Sequence, residues 1–156
     1  MNNYTTHLRL FQLTGKSARI VYDRSMNPSI FKVVDIRGVY PTDLNESGAA
    51  KIAGACAKLF KPGKVVIAHD IRHGSLELAK VAMESIVKAS GAKHEVIFVG
   101  LSTTPMFYFL VNELKASGGC MITASHNPKE YTGFKIVREQ AEAVSGLTIR
   151  EIISTL

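Results

Sequence analysis

The sequence predicts an α/β protein, a three-layer α/β/α sandwich on a mostly parallel sheet. Three observations carry this reading. From residue 64 onward, short continuous apolar runs alternate with longer stretches of helical period. The run Val65-Val66-Ile67-Ala68 is short and continuous, as in parallel strands buried on both faces, and His94 to Val99 and Cys120 to Ala124 supply the next two strands. The connections are short, and strand–helix–strand units of this kind close with right-handed crossovers onto parallel strands.

The elements follow in chain order. Residues 1–30 read as an N-terminal extension that can add a strand at Ser17 to Tyr22, and residues 31–156 read as one domain. Phe31 to Val34 is expected to be a strand. Residues 46–60 carry apolar or small side chains at 49, 52, 53, 56, 59 and 60, a helical stripe, and Lys61-Pro62-Gly63 turns the chain into the first core strand. A second stripe at 79, 82, 83, 86 and 87 ends at Ser90-Gly91. After the 94–99 strand, Thr104 offers a capping hydroxyl with Pro105 at the first helical position. Phe107, Leu110, Val111 and Leu114 form that helix's buried stripe, and Gly118-Gly119 are expected to end it. Phe134 to Val137 reads as a further strand and Leu147 to Leu156 as a closing helix.

Composition narrows the function classes. With 156 residues, 46% hydrophobic and 21% charged, the chain fits one ordinary globular domain, or two very small ones, and can bury a sizeable core. Its formal charge is +6, but the nineteen Lys and Arg are scattered, which argues against a nucleic-acid surface and suits phosphorylated substrates. No apolar run approaches the ~20 residues needed to span a bilayer. The N-terminal apolar stretch is broken by Arg9 and Gln12, unlike a secretory signal. Cys56 and Cys120 show no metal spacing and read as buried thiols of a reducing compartment. The expected location is the cytoplasm, with neither nucleic acid nor membrane as partner.

Parallel strands also fix where chemistry lies. The ends of the three core strands, at Ala68-His69-Asp70, Val99-Gly100 and Thr123-Ala124-Ser125, fall on one edge, where open α/β sheets bind ligands. Ser125 therefore stands at the crevice. It is followed by His126, Asn127 and Pro128, and later by Gly133-Phe134-Lys135. A serine oxygen needs a base or a pre-bound electrophile to react. There is no GxSxG elbow and no assignable Asp–His pairing, which weakens a hydrolase reading. Taken alone, Ser-His-Asn-Pro is also a good turn and Lys135 a plain surface lysine.

In wording and order, Thr123-Ala124-Ser125-His126-Asn127-Pro128 with Gly133-Phe134-Lys135 resembles the phosphoserine loop of the α-D-phosphohexomutases, the phosphoglucomutase and phosphomannomutase family. Asp35-Ile36-Arg37-Gly38 resembles that family's N-terminal signature. The resemblance covers residues 30–156 and implies the family's first, phosphoserine-bearing domain. It implies that Ser125 carries a phosphoryl group, that His126 and Asn127 hold it, and that Lys135 and Arg37 are cations acting on it. Such a pair suits the equatorial oxygens of a transferring phosphoryl group. The implied activity is an isomerase interconverting hexose 1-phosphate and hexose 6-phosphate through a bisphosphate, with hexose 1,6-bisphosphate as activator. Mg2+ is the implied cofactor, and Ser125 would be a metal ligand through its phosphate.

Two further loops extend the likeness. His69-Asp70-Ile71-Arg72-His73-Gly74-Ser75 is similar to the family's D-x-R-x-S loop with Gly and Ser exchanged, and Asp70 and Arg72 read as supports of the crevice. Gly100-Leu101-Ser102-Thr103-Thr104-Pro105 is similar to its G-x-x-x-T-P segment, which helix capping also explains. One departure is Val34, where members acting on glucose or mannose phosphates often have Tyr before the arginine signature. The Asp-rich magnesium loop and the later domains of the family are absent from these residues, so the resemblance implies a chain inactive alone, with a phosphorylated hexose and the remaining mutase domains, in cis or trans, as partners. The alternative is a stand-alone sugar-phosphate-binding or interaction module that keeps the fold.

Overall fold

A computed structural model describes residues 26–156. Ser17 to Tyr22 lies outside them. The described elements are β1 (Ile36–Val39), α1 (Glu46–Leu59), β2 (Gly63–His69), α2 (Ser75–Ser90), β3 (His94–Leu101), α3 (Thr104–Glu113), β4 (Gly118–Ile122), β5 (Tyr131–Arg138), β6 (Ala143–Val144) and α4 (Gly146–Ile153).

The strands form one mixed sheet in the order β1-β5-β4-β2-β3, with β6 also on β5. β2 pairs parallel with both β3 and β4, whereas β5 runs antiparallel to β1, β4 and β6. Only β5 is reversed among the described strands, so the parallel core is as expected and one strand returns against it.

Strand β2 shows why its sequence is an unbroken apolar run. Val65 and Ile67 point into one core with Cys120, Ile122, Phe134 and the buried residues of α1 and α2. Val66 and Ala68 point into the other with Met121, Val137, Phe107 and Val111 of α3. Each side chain in such a position is worth about 1.5–3 kcal/mol of burial. Helices α1, α2 and α4 thus cover one face and α3 the other, which gives three layers.

Local chemistry sets the helix ends. Asn45 caps α1 by accepting from the Gly48 N–H at 3.1 Å, and Ser145 caps α4 by accepting from Leu147 N–H at 3.0 Å. The cap of α3 is Thr103 rather than Thr104: it accepts from Met106 N–H, so the helix begins one residue earlier and Pro105 sits in its first turn. On α2 the buried stripe includes Leu78, Ala79, Ala82 and Ile86, while Val87 is half exposed.

Three expectations need correction. Phe31 to Val34 is not a strand. Val33 and Val34 are 73% and 63% exposed, and the strand forms at Ile36–Val39, where Ile36 and Gly38 face inward. Gly118-Gly119 do not stop α3 but open β4. A Cβ at Gly118 would strike the Phe60 ring, and one at Gly119 the Val66 carbonyl oxygen. The closing helix ends at Ile153 rather than Leu156, with turns beyond it.

Candidate functional site

Ser125 follows the carboxyl end of β4 at the sheet edge. Its backbone has φ of +56°. That left-handed conformation costs a residue with a Cβ about 1–2 kcal/mol, so its surroundings must hold it. They do so from both sides. The Ser125 N–H donates to Thr123 Oγ1 at 3.0 Å and the Asn127 N–H to the Ala124 carbonyl at 3.1 Å. On the other side lies Arg72, whose Nη2 donates to the carbonyls of Ser125 at 2.7 Å and Asn127 at 2.8 Å. Its Nη1 donates to those of Pro128 at 2.7 Å and Tyr131 at 3.1 Å.

Asp70 aims that guanidinium. Its carboxylate pairs with Arg72 Nε at 3.2 Å and accepts from the Arg72 N–H at 2.9 Å and from Ser75 Oγ at 2.7 Å. Ser75 Oγ in turn lies 3.2 Å from Thr132 Oγ1, tying the start of α2 to β5. Gly74 makes this geometry possible. It has φ of +80°, and a Cβ there would lie 2.7 Å from ring atoms of Tyr40. The exchange of Gly and Ser in this loop thus leaves a hydroxyl on Asp70 and a glycine where the backbone needs one.

Arg37 and Lys135 meet at Asp35. Arg37 forms a bidentate pair, Nε to both carboxylate oxygens at 2.9 Å and Nη2 to Oδ2 at 2.7 Å. Lys135 Nζ reaches the same Oδ2 at 2.9 Å. Alternation along the strand explains why Asp35 and Arg37 share a face, and the β1–β5 register, pairing Ile36 with Phe134, brings Asp35 across from Lys135. Asp35 is only 2% exposed. Burial alone would raise its pKa, but the hydrogen bonds from Arg37 and Lys135 prevail and hold the carboxyl below its ordinary value. Asp35 is the member of this cluster that the sequence marks only as part of the arginine signature, and the two-residue spacing in Asp35-Ile36-Arg37 is its signal.

Arg37 also crosses to the serine loop, its Nη1 donating to Asn127 Oδ1 at 2.6 Å. The sequence-derived candidates are therefore joined in a chain from Lys135 through Asp35 and Arg37 to Asn127. Ser125 Oγ makes no hydrogen bond among the described residues, and neither does the exposed ring of His126. Beside the serine opens a crevice of about 880 Å³, lined among others by Tyr40, Arg72, His73, Asn127 and Lys129. The Tyr40 hydroxyl donates to Glu46 at 2.6 Å, and this bond, with burial, pushes its pKa up to about 12.

The donor set does not suit a magnesium ion by itself. No group of three or more His, Cys, Asp or Glu among the described residues could hold a metal. The acids closest in the network, Asp35 and Asp70, are committed to cations and hydroxyls. Cys56 and Cys120 are buried in the core with sulfurs 3.8 Å apart, and burial pushes the Cys56 thiol up. No helix among the described residues is long and apolar enough to cross a membrane.

Comparison with known proteins fits this arrangement. A family model described as phosphoglucomutase/phosphomannomutase, alpha/beta/alpha domain I, matches residues 28–156. The chain is 48% identical over 118 residues to the phosphohexose mutases protein of Xanthomonas campestris pv. campestris (strain B100), covering 76% of this chain and 26% of that one. It is 42% identical over 123 residues to an Escherichia coli phosphomannomutase, covering 78% and 26%. A solved phosphoglucomutase/phosphomannomutase family protein from Burkholderia thailandensis superposes with a TM-score of 0.65 at 29% identity, covering 81% of this chain and 29% of that one. The chain thus spans about a quarter of the length of these curated relatives. The chain belongs to the phosphoglucomutase/phosphomannomutase family, of which it presents the α/β/α domain I.

Proposed function

We propose that Ser125 is the phosphoryl carrier of a phosphohexomutase that interconverts hexose 1-phosphate and hexose 6-phosphate. The observation that carries this reading is the placement of Ser125. It follows a strand end in a left-handed conformation held on both sides, lines a crevice, and lies two residues before Asn127, whose Oδ1 accepts from Arg37.

In the proposed transfer, the bond from phosphorus to Ser125 Oγ breaks as one forms from phosphorus to a sugar hydroxyl oxygen. The serine oxygen takes up the proton that the hydroxyl loses, and a hexose bisphosphate results. After the bisphosphate turns over, its other phosphoryl group returns to Ser125 and the proton moves back. Arg37 and Lys135 offset charge on the phosphoryl oxygens, Asn127 and His126 orient the group, and Lys135 assists the proton transfer. The crevice, with Lys129 at its rim, suits an anionic sugar phosphate. The residues present do not fit a magnesium site, so no step is assigned to the ion in this chain. For the same reason the 156-residue chain is expected to turn over little by itself, the remaining groups coming from other mutase domains.

The test is a chimera in which residues 28–156 replace the matching segment of the Xanthomonas campestris relative. Turnover of hexose 1-phosphate is expected in the chimera and its loss in the Ser125→Ala form. Equal turnover in both would refute the reading. A second reading, a stand-alone sugar-phosphate-binding or interaction module, is favoured by the lack of a metal-holding cluster among the described residues. It predicts hexose phosphate binding by the chain and no turnover in the chimera.

A further inference from the structure

We infer that Arg72 is the positioning residue of the serine loop, a role that rests on the reading of Ser125 as phosphoryl carrier. The observation is that one guanidinium holds four backbone carbonyls, those of Ser125, Asn127, Pro128 and Tyr131, all from a single seven-residue span. Carbonyls repel a phosphoryl group. With these four carbonyls taken up by Arg72, Ser125 and Asn127 line the crevice with their backbone oxygens already occupied.

The same contacts fix Ser125 in the left-handed region. The peptide that follows φ of +56° has its oxygen on Arg72 Nη2, so the guanidinium and the Thr123 hydroxyl hold the residue between them. Arg72 does this from a rigid base. Its Nε and N–H are both on Asp70, which extends from β2, and its side chain is only 15% exposed. All of its donor groups are directed at protein, so Arg72 acts on the substrate through the loop and not by contact.

The chemistry needs arginine. A planar fork with five N–H donors can serve four carbonyls and a carboxylate at once, whereas an ammonium has three donors at one point. Arg72→Lys therefore keeps the charge and loses the geometry.

The experiment uses the isotope-labelled 156-residue chain, as wild type, Arg72→Lys and Arg72→Gln, in solution NMR with inorganic phosphate as probe. In the wild type, the Arg72 side-chain N–H signals are expected to be separately resolved, and amides 125–131 to show rigid order parameters near about 0.85. In both variants the loop falls below about 0.6, while the signals of β2, β3 and β4 stay in place. Phosphate shifts at the loop then need at least about ten-fold more phosphate, the effect of losing charge-assisted hydrogen bonds.

An Arg72→Lys loop as rigid and as responsive to phosphate as the wild type overturns the inference and leaves the carrier reading standing. Loss of the whole fold in Arg72→Lys also overturns it, since Arg72 would then support the core. A wild-type loop that is rigid and loosens on substitution, but whose amides ignore phosphate, supports the positioning and counts against Ser125 as carrier.

Discussion

The Lys135 ammonium lies 2.9 Å from the carboxylate of Asp35, a residue 100 positions away in sequence and almost wholly buried. The same carboxylate holds Arg37. Two cations are thus kept close together and aimed by one acid.

Removing that acid should be costly. Asp35→Asn is expected to destabilise the fold by about 3 kcal/mol, since it leaves two partly buried cations without their partner. Denaturant unfolding of the isolated chain checks this. A loss below about 1 kcal/mol would show that solvent serves the cations as well as Asp35 does.

The pH dependence has a definite sign. Asp35 has a folded-state pKa below its ordinary 3.8, so its stabilising contribution is present in full above that value. It is lost as pH falls from about 3.8 through the lower folded value. Thermal unfolding between pH 6 and pH 2 should show wild type losing more stability across that acid window than Asp35→Asn. Parallel curves would remove Asp35 from the account.

Gly133 is expected to be intolerant of any side chain. It stands opposite Arg37 in the β1–β5 ladder, and a Cβ would fall on the Ile36 carbonyl oxygen, which belongs to backbone that cannot move alone. Gly133→Ala should cost more than about 3 kcal/mol by overpacking and should displace the arginine signature from the serine loop. Circular dichroism and thermal unfolding of the variant measure this.

The fold was legible where local pattern and tertiary environment agree. The runs within β2 and β4 are apolar because helices cover both faces, whereas β3 is an edge strand with Phe98 and Leu101 exposed; the parallel core and the edge that carries Ser125 could still be read directly. Phe31 to Val34 is β-branched and apolar enough to suggest a strand, yet it does not form one. Ile30 and Phe31 are buried, but Val33 and Val34 point outward, and pairing with β5 selects Ile36–Val39 instead. Gly118-Gly119 misled because glycine ends helices and also admits close backbone contact, and only the neighbouring Phe60 and Val66 decide between these. β6, at two residues, carries no periodic signal.

At the site, Ser125, Asn127 and Arg37 stood out through motif order. The reach of Arg72 to four carbonyls did not, because backbone acceptors leave no trace in side-chain identity. The hub at Asp35 needed the register between β1 and β5, which the sequence does not state.

The two cations should matter more for rate than for folding. In the Xanthomonas chimera, Arg37→Ala or Lys135→Ala is expected to cut turnover by about 10² or more, as for loss of one donor to a developing charge. Steady-state kinetics alongside thermal unfolding separate this from a loop-tying role, which predicts lost stability with near-normal turnover.

Peptide mapping after phosphoryl labelling decides whether Ser125 carries the phosphoryl group. The chimera is incubated with radiolabelled hexose 1,6-bisphosphate, digested, and its labelled peptide sequenced. Label is expected on Ser125 alone, and none in the Ser125→Ala form. Label on any other residue, or unchanged labelling of Ser125→Ala, would contradict that role.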